Sequence, residues 1–278
     1  MLFARTGGTR FISFNTTVKP FDNINIRRAL IAASNRNALR LTRGGAIAGD
    51  IANGYLPPGI PGYEEAGGVK QNTDLDYLKN PNGDPALAKE YMLMAKQEDP
   101  SMPIDASGTW TGSDRILTIA VNTDPGRKTA EVFQNQMDQL GFKLNLRTMP
   151  FETLVTKFCG VPKANVALCP SGAWFKDFSD PQSMLDAPFN GDNILQANNN
   201  NWSELNVPAI NAAMNAAALV PAGTERNKAW AKINHMIAEQ APALPYLWDK
   251  TALVNSKDVV AVANGYYTTH DLSYTSLK

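Results

Sequence analysis

Two periods of apolar and polar residues along the chain predict where its helices and strands lie. Ala130, Phe133, Met137 and Leu140 recur at intervals of three, four and three residues, which is typical of the apolar stripe of an amphipathic helix. Residues 116–121 are mostly apolar, and residues 142–147 alternate apolar with polar side chains as in a half-buried strand. Gly141 separates the helix from this second strand. The three elements together predict one βαβ unit, and therefore a parallel strand pair with a right-handed crossover.

Side chains that can cap free backbone N–H groups predict further helices. A cap at residue 22 or 23 predicts a helix running to residue 33, and Asp84 followed by Pro85 predicts a helix over 86–96. Leu87, Tyr91 and Met94 recur at helical spacing within the latter. We also expect helices after Asn35, over 151–158, over 208–219, and from a cap at Thr224 with Trp230, Ile233 and Ile237 on one face.

The most informative stretch is the run at 172–181, Gly-Ala-Trp-Phe-Lys-Asp-Phe-Ser-Asp-Pro. It places three aromatic side chains and two carboxylates in a turn-forming segment, directly after an apolar strand expected over 165–169. Open α/β sheets bind their ligands where strands end at their carboxyl edge. The run is therefore a candidate for facing a ligand.

This run resembles the Trp-x-x-Asp-aromatic-x-Asp-Pro signature of the peptide and nickel family of extracellular solute-binding proteins. These proteins are the capture subunits of ABC importers and include oligopeptide- and dipeptide-binding proteins. Further stretches resemble the family in order, from about residue 9 to the C-terminus: 11–17, 19–22, 26–30, Leu-Pro-Pro-Gly-Ile-Pro-Gly-Tyr at 56–63, 226–230, and Ala-Pro-Ala-Leu-Pro-Tyr-Leu-Trp at 241–248. Asn35 and Lys176 depart from the pattern, since the family usually has Asp and a small residue there.

The resemblance implies an α/β fold of the periplasmic-binding-protein-like kind, type II, class C. In that fold a lobe with a mixed sheet flanked by helices is joined by strands that belong to the other lobe. On this basis residues 1–20 are a strand and hinge belonging to the first lobe, residues 21–243 form the second, C-terminal ligand-binding lobe, and residues 244–278 contain the return strands to the first lobe. Because full members of the family are about twice as long, we expect the chain to be a C-terminal fragment.

The resemblance also implies a set of ligand-binding residues. Asp177 stands where peptide-binding relatives meet the free amino group of the ligand, and a carboxylate forms a strong charge-assisted hydrogen bond with an ammonium group. Trp174 would supply a flat wall and a cation–π face. Phe175, Asn15 and Lys157 complete the expected set, with Lys157 as a partner for a ligand carboxylate. The alternative is that Asp177 only caps a turn beside a core tryptophan.

Cys159 and Cys169 are ten residues apart, with a Gly-Val-Pro turn and the apolar residues 166–168 between them. A short turn would bring them together, and a disulfide closing so small a loop would contribute about 2 to 3 kcal/mol to stability in an oxidising compartment. The alternative is two buried free thiols. Because neither cysteine is near a histidine, we expect no zinc site.

Composition and charge exclude several classes of function. With 44% hydrophobic and 9% aromatic residues, the chain is typical of a soluble globular protein. Its 26 basic and 26 acidic side chains give a net charge of zero, so no overall field attracts nucleic acid or an anionic membrane. His235 and His270 lack metal-ligand spacing, no Gly-x-Ser-x-Gly motif occurs, and the glycines over 44–49 lack the lysine of a P-loop. We expect no catalytic site, no metal and no cofactor.

The resemblance implies a solute-binding subunit of an ABC importer, with a peptide as the expected class of solute. Such a subunit is expected to be a monomer that captures its ligand in an interlobe cleft and delivers it to a membrane permease. We expect an extracellular or cell-envelope location, with lipoprotein anchoring in the full-length protein. One alternative is a ligand-sensing domain of a transcriptional regulator. Another is a hydrolase that uses Asp177 and Asp180 as a carboxylate pair, although the surrounding aromatic residues favour binding.

Overall fold

A computed structural model describes residues 1–71, 79–264, 266 and 269–278 of the chain. The strands in this part are β1 (Leu2–Phe14), β2 (Gly49–Asp50), β3 (Arg115–Val121), β4 (Lys143–Met149), β5 (Leu168–Phe175), β6 (Ala243–Leu253), β7 (Val259–Val260) and β8 (Ser276–Leu277). The helices are α1 (Ile24–Ala33), α2 (Arg36–Leu41), α3 (Pro85–Glu98), α4 (Asp124–Asp138), α5 (Phe151–Lys157), α6 (Pro181–Phe189), α7 (Pro208–Ala218) and α8 (Thr224–Glu239). Among the described residues, no helix combines the length and apolar composition needed to cross a bilayer.

The strands β1 to β6 form one mixed sheet in the order β2-β6-β1-β5-β3-β4. The long strand β1 lies between β6 and β5 and is antiparallel to both, whereas β3 is parallel to β4 and β5. Residue Phe11 of β1 is paired with Gly172 of β5 and with Pro245 of β6. This mixed sheet with flanking helices confirms the predicted fold class.

Helices cover both faces of the sheet, because neighbouring strand residues belong to different hydrophobic cores. Ile12 lies in a core built with α1, α3 and α4, whereas Phe11 lies in a second core built with α6, α7 and α8. Ala243 and Leu244 on β6 are divided between the two cores in the same way. Successive strand side chains point to opposite faces, so each core packs on its own face of the sheet.

The predicted βαβ unit is confirmed. Strands β3 and β4 are parallel neighbours, and the four predicted stripe residues around α4 are all buried. The cap of α1 is Asn23, whose side chain accepts hydrogen bonds from the backbone N–H groups of Asn25 and Ile26. Thr224 is the first residue of α8 rather than its cap, a position that Gly223 occupies.

The helix predicted after Asp84 is present as α3, but the three residues at helical spacing do not form its buried face. Leu87 and Met94 are exposed, and the buried side chains are Ala88, Met92 and Ala95. Helix α3 packs against α1, and small alanine side chains allow two helices to approach closely. The spacing of large apolar residues is therefore no guide to the buried face of α3.

Strand β5 begins later and runs further than predicted. It starts at Leu168 instead of residue 165 and continues to Phe175, so Trp174 and Phe175 lie within the sheet rather than in the loop after it. Thr9 of β1 is paired with Trp174, and Gly8 with Phe175. The aromatic half of the run is therefore fixed by strand pairing, and only its acidic half forms a turn.

Strands β1 and β6 pair with each other along most of their length, from Leu2 with Leu253 to Ser13 with Ala243. Both segments were assigned on sequence grounds to hinge or return strands of another lobe. The structure shows how they join this sheet, and their assignment to a second lobe stays a prediction.

The buried side chain of Arg27 links the backbone just before α1 to the backbone just after α8. Arg27 donates from Nη1 to the carbonyl oxygens of Phe21 (2.6 Å) and Asp22 (3.1 Å). Its Nε and Nη2 donate to the carbonyl oxygens of Gln240 and Ala241 at the end of α8. Burial lowers the pKa of Arg27 to about 10, so the side chain stays charged at neutral pH.

Removing this side chain should destabilise the fold. We expect Arg27→Ala to lower the free energy of unfolding by about 3 kcal/mol, because several buried carbonyl groups lose a charged donor. The neighbouring variant Arg28→Ala is the control, since Arg28 is only partly buried and donates to one carbonyl, that of Glu239. Its loss should stay below about 1 kcal/mol. Urea denaturation of both variants measures the difference, and equal small losses would contradict the role given to Arg27.

The two cysteines form a disulfide that joins the end of α5 to β5. Cys159 and Cys169 are both buried, in a small core with Ile119, Leu154 and Val166. The disulfide therefore constrains the backbone shortly before the aromatic and acidic run. The alternative of two free thiols is not what the structure contains.

We expect the double variant Cys159→Ser/Cys169→Ser to be less stable than the oxidised protein by about 2 to 3 kcal/mol, since the unfolded chain loses a short closed loop. Denaturation with and without reductant measures this effect. Reductant should destabilise the original protein and leave the double variant unchanged. A reductant effect of the same size on both proteins would show that the disulfide is not its cause.

Candidate ligand-binding site

One serine at the start of α6 holds the aromatic and acidic run in place. Trp174 Nε1 donates to the carbonyl oxygen of Ser183 at 2.6 Å. The hydroxyl of the same serine accepts hydrogen bonds from the backbone N–H groups of Asp177 (2.6 Å) and Phe178 (3.3 Å). The turn after β5 is thus fixed by backbone and indole contacts, and the carboxylate of Asp177 is not needed to form it.

The second carboxylate of the run, Asp180, has a structural role. Its side chain caps α6 by accepting from the N–H group of Gln182, and it forms a bidentate ion pair with Arg226, with Nε to Oδ2 at 2.8 Å and Nη2 to Oδ1 at 3.0 Å. Arg226 is 8% exposed and also donates to three carbonyl groups at the end of α7. The Asp180 carboxylate is therefore already bound to an arginine, and this contact gives no support to the hydrolase alternative.

An open cleft of about 800 Å³ lies beside the run. This volume is within the usual range of small-molecule sites, about 300 to 1,000 Å³. Strands β1, β5 and β6 contribute to its lining, together with the turn after α2, the start of α4 and Tyr266. The lining residues are Arg10, Arg43, Ala48, Pro125, Phe175, Lys176, Asp177, Asp249, Lys250, Thr251 and Tyr266.

Aromatic rings in the cleft lie against cationic side chains. Phe175 is 41% exposed and packs over Gly8 so closely that a Cβ atom there would overlap its ring. The Arg10 guanidinium carbon is 5.5 Å from the Phe175 ring centre, and Lys176 Nζ is 5.1 Å from that of Tyr266. The Tyr266 hydroxyl donates to the carbonyl oxygen of Asp177 at 2.5 Å. These contacts give the cleft stiff apolar surfaces with charged edges.

Arg10 and Asp249 form a bidentate ion pair on the floor of the cleft. Arg10 Nε lies 2.8 Å from Oδ1 of Asp249, and Nη2 lies 2.7 Å from Oδ2. Burial raises the pKa of the Asp249 carboxyl, and Arg10 opposes that rise. Burial would lower the pKa of Arg10, but Asp249 holds it above its ordinary value. Sequence analysis missed this pair, although each charge interrupts or ends a mostly apolar strand, and such charges need partners.

The Asp177 carboxylate is exposed in the cleft and, among the residues that the structure describes, forms no ion pair or side-chain hydrogen bond. Phe175 also lines the cleft. Trp174 packs instead against the core of α6, α7 and α8. The structure thus brings Phe175 and Asp177 together at the cleft and places Trp174 behind them.

Asn15 and Lys157 are not part of the cleft lining. Asn15 is buried, donates to Glu204 at 2.7 Å and accepts from Thr17. Burial raises the pKa of Glu204, against the effect of its hydrogen bonds from Asn15 and Thr17. Lys157 is exposed at the end of α5. The ligand-binding role of both residues stays a prediction.

Comparison with known sequences gives one family match. Residues 2–196 match the bacterial extracellular solute-binding proteins, family 5, middle region. Di/tripeptide-binding protein 1 of Pseudomonas aeruginosa (strain UCBPP-PA14) is 24% identical over 241 residues, which are 84% of this chain and 39% of the relative. Oligopeptide-binding protein OppA of Bacillus subtilis (strain 168) is 24% identical over 262 residues, 92% of this chain and 42% of the relative.

Solved structures share the fold. The clavulanic acid biosynthesis oligopeptide binding protein 2 superposes with a TM-score of 0.81 at 22% identity, covering 99% of this chain and 47% of that protein. A dipeptide binding protein from Pseudoalteromonas sp. SM9913 in complex with Met-Leu gives a TM-score of 0.72 at 20% identity, covering 100% of this chain and 50% of that protein. The chain therefore spans between about two-fifths and half the length of these relatives.

The two carboxylates of the run should differ sharply in their effect on stability. We expect Asp177→Asn to change the free energy of unfolding by less than about 0.5 kcal/mol, since no group in the described part of the chain bonds to that carboxylate. Asp180→Asn should cost about 2 to 4 kcal/mol, because it leaves the buried Arg226 without its anion. Chemical denaturation of the two variants makes the comparison. A large loss for Asp177→Asn would show that its carboxylate caps the turn after all.

Proposed function

The chain belongs to family 5 of the bacterial extracellular solute-binding proteins, and on this basis we propose that it captures a solute, a short peptide, for an ABC importer. Members of this family are binding proteins rather than enzymes. The relatives and structures compared above are binding proteins too, and none of them supports the alternative of a transcriptional regulator.

The observation that carries the proposal is the Asp177 carboxylate, which has no partner among the described residues and lines a cleft of suitable size. An exposed carboxylate held on a fixed turn can bind an ammonium group without rearrangement of the protein. Such a charge-assisted hydrogen bond is roughly twice as strong as one between neutral groups. Phe175 and Tyr266 supply apolar surface next to it for a side chain of the ligand.

Peptide is favoured over other solutes because the ligand must offer a cation to Asp177 and apolar surface to the rings. A free peptide N-terminus followed by a side chain has both. The printed names of the matched relatives include di/tripeptide-, oligopeptide- and dipeptide-binding proteins, which agrees with this chemistry.

We further propose that the protein works outside the cytoplasmic membrane as a monomer, anchored as a lipoprotein, and passes its ligand to a membrane permease. The disulfide fits this location, because disulfides persist in oxidising compartments. The division into a lobe at 21–243 with strands of another lobe at 1–20 and 244–278 belongs to the same proposal, and it implies that the opposing lobe closes over the cleft.

The proposal is tested with alanyl-alanine and its N-acetylated form as probes, using the natural full-length protein. We expect alanyl-alanine to bind and the acetylated form, which has no ammonium group, to bind at least tenfold more weakly. Asp177→Asn should weaken binding of alanyl-alanine by roughly tenfold to a hundredfold, the loss of one charge-assisted hydrogen bond. Isothermal titration calorimetry measures all three affinities.

Asp114→Asn is the matched control, because Asp114 is an exposed carboxylate outside the cleft lining. It should bind alanyl-alanine with unchanged affinity. Equal affinity of the original protein for the free and acetylated dipeptides would contradict an ammonium site at Asp177. Complete absence of dipeptide binding would contradict peptide as the solute.

A further inference from the structure

Arg43 is a further charged residue of the cleft, and it comes from a part of the chain far from the run in sequence. It follows α2 in a turn and lines the same cleft as Asp177. Its guanidinium is partly buried, and its Nε is shielded from solvent without a hydrogen-bond partner. Within the described part of the chain, the Arg43 side chain forms no ion pair and no hydrogen bond with another residue.

The turn that carries Arg43 is fixed by its neighbours. The Thr42 hydroxyl donates to the carbonyl oxygen of Leu39 at 2.7 Å and shares a 2.7 Å hydrogen bond with the hydroxyl of Thr129 on α4. The backbone N–H of Arg43 donates to Arg40, and Gly44 follows with a φ of 110°, which allows the chain to reverse. Helix α4 begins next to Pro125, which also lines the cleft. The backbone at Arg43 is therefore fixed by these hydrogen bonds.

Two other cationic side chains of the cleft already form ion pairs with carboxylates of the protein. Arg10 occupies both oxygens of Asp249, and Lys250 Nζ lies 2.5 Å from Oδ1 of Asp50. The charge of Arg43 lowers the pKa of the Asp249 carboxyl, but the two side chains are not in direct contact. A partly buried cation without a contact anion is unfavourable, and an arriving anion relieves that cost.

We propose that Arg43 is an anion-binding group of this cleft and that the natural solute carries a carboxylate for it. The proposal rests on the proposed function, in which Asp177 takes the ammonium group of the same ligand. Guanidinium suits this role because its planar donors match the two oxygens of a carboxylate. The solute class is then a short peptide or related amino compound with an acidic group, either its terminal carboxylate or an acidic side chain.

Two pairs of probes identify the acidic group, titrated by calorimetry against the natural full-length protein. Alanyl-glutamate against alanyl-glutamine varies the charge of the side chain, and alanyl-alanine against alanyl-alaninamide varies the charge of the terminus. We expect the acid of at least one pair to bind about tenfold or more tightly than its neutral partner. Arg43→Gln should reduce that preference to about twofold or less, and Arg43→Lys should retain part of it.

Arg40→Gln is the matched control, because Arg40 lies on the preceding turn of α2 and lines a different cavity. It should keep the full preference, and circular dichroism should show that all variants are folded. Equal binding within both pairs, or a preference that survives Arg43→Gln, would overturn this inference while leaving the peptide-binding function standing. If none of the four probes binds, the proposed function and this inference both fail.

Discussion

The ion pair between Asp180 and Arg226 is the interaction on which the geometry of the site depends. It fixes the first turn of α6 to α7 and α8, and that turn presents Ser183. Ser183 in turn holds the indole of Trp174 and the backbone of Asp177. Because a bidentate, largely buried pair leaves little freedom, the backbone of Asp177 is held in position, although its carboxylate forms no hydrogen bond or ion pair with any residue that the structure describes. Removal of the pair would loosen the turn that follows β5.

Within this ten-residue run, some side chains hold the turn in place and others face the cleft. Trp174 and Asp180 face the protein and make its strongest local contacts, whereas Phe175 and Asp177 face the cleft. Strand alternation explains the first division, since Trp174 and Phe175 are successive residues of β5 and must point to opposite faces. Helix capping explains why Asp180, unlike Asp177, faces the protein, since the Asp180 side chain caps the start of α6. A pre-formed site of this kind loses little entropy when its ligand binds.

Sequence patterns predicted the parts of this structure that depend on local chemistry. The βαβ unit, a helix cap at residue 22 or 23 and the Asp84-Pro85 helix start were all predicted from spacing and residue type, and resemblance to a family pointed to the run at 172–181. The cleft could not be predicted in the same way. Arg10 and Asp249 are 239 residues apart, and only the pairing of β1 with β6 brings them together. Arg43 lines the same cleft from a turn whose position depends on the contact between Thr42 and Thr129. The buried face of α3 was not predicted for a similar reason, because the packing of small residues on a neighbouring helix leaves no strong mark in one sequence.

The central claim is that Asp177 binds a cationic group of the captured solute. A crystal structure of the natural full-length protein, purified without denaturation so that its solute is retained, tests this most directly. Our account predicts a ligand nitrogen at hydrogen-bond distance, about 2.7 to 2.9 Å, from a carboxylate oxygen of Asp177. A solute bound with no nitrogen near Asp177, or an Asp177 carboxylate turned to bond a group of the protein itself, would contradict it.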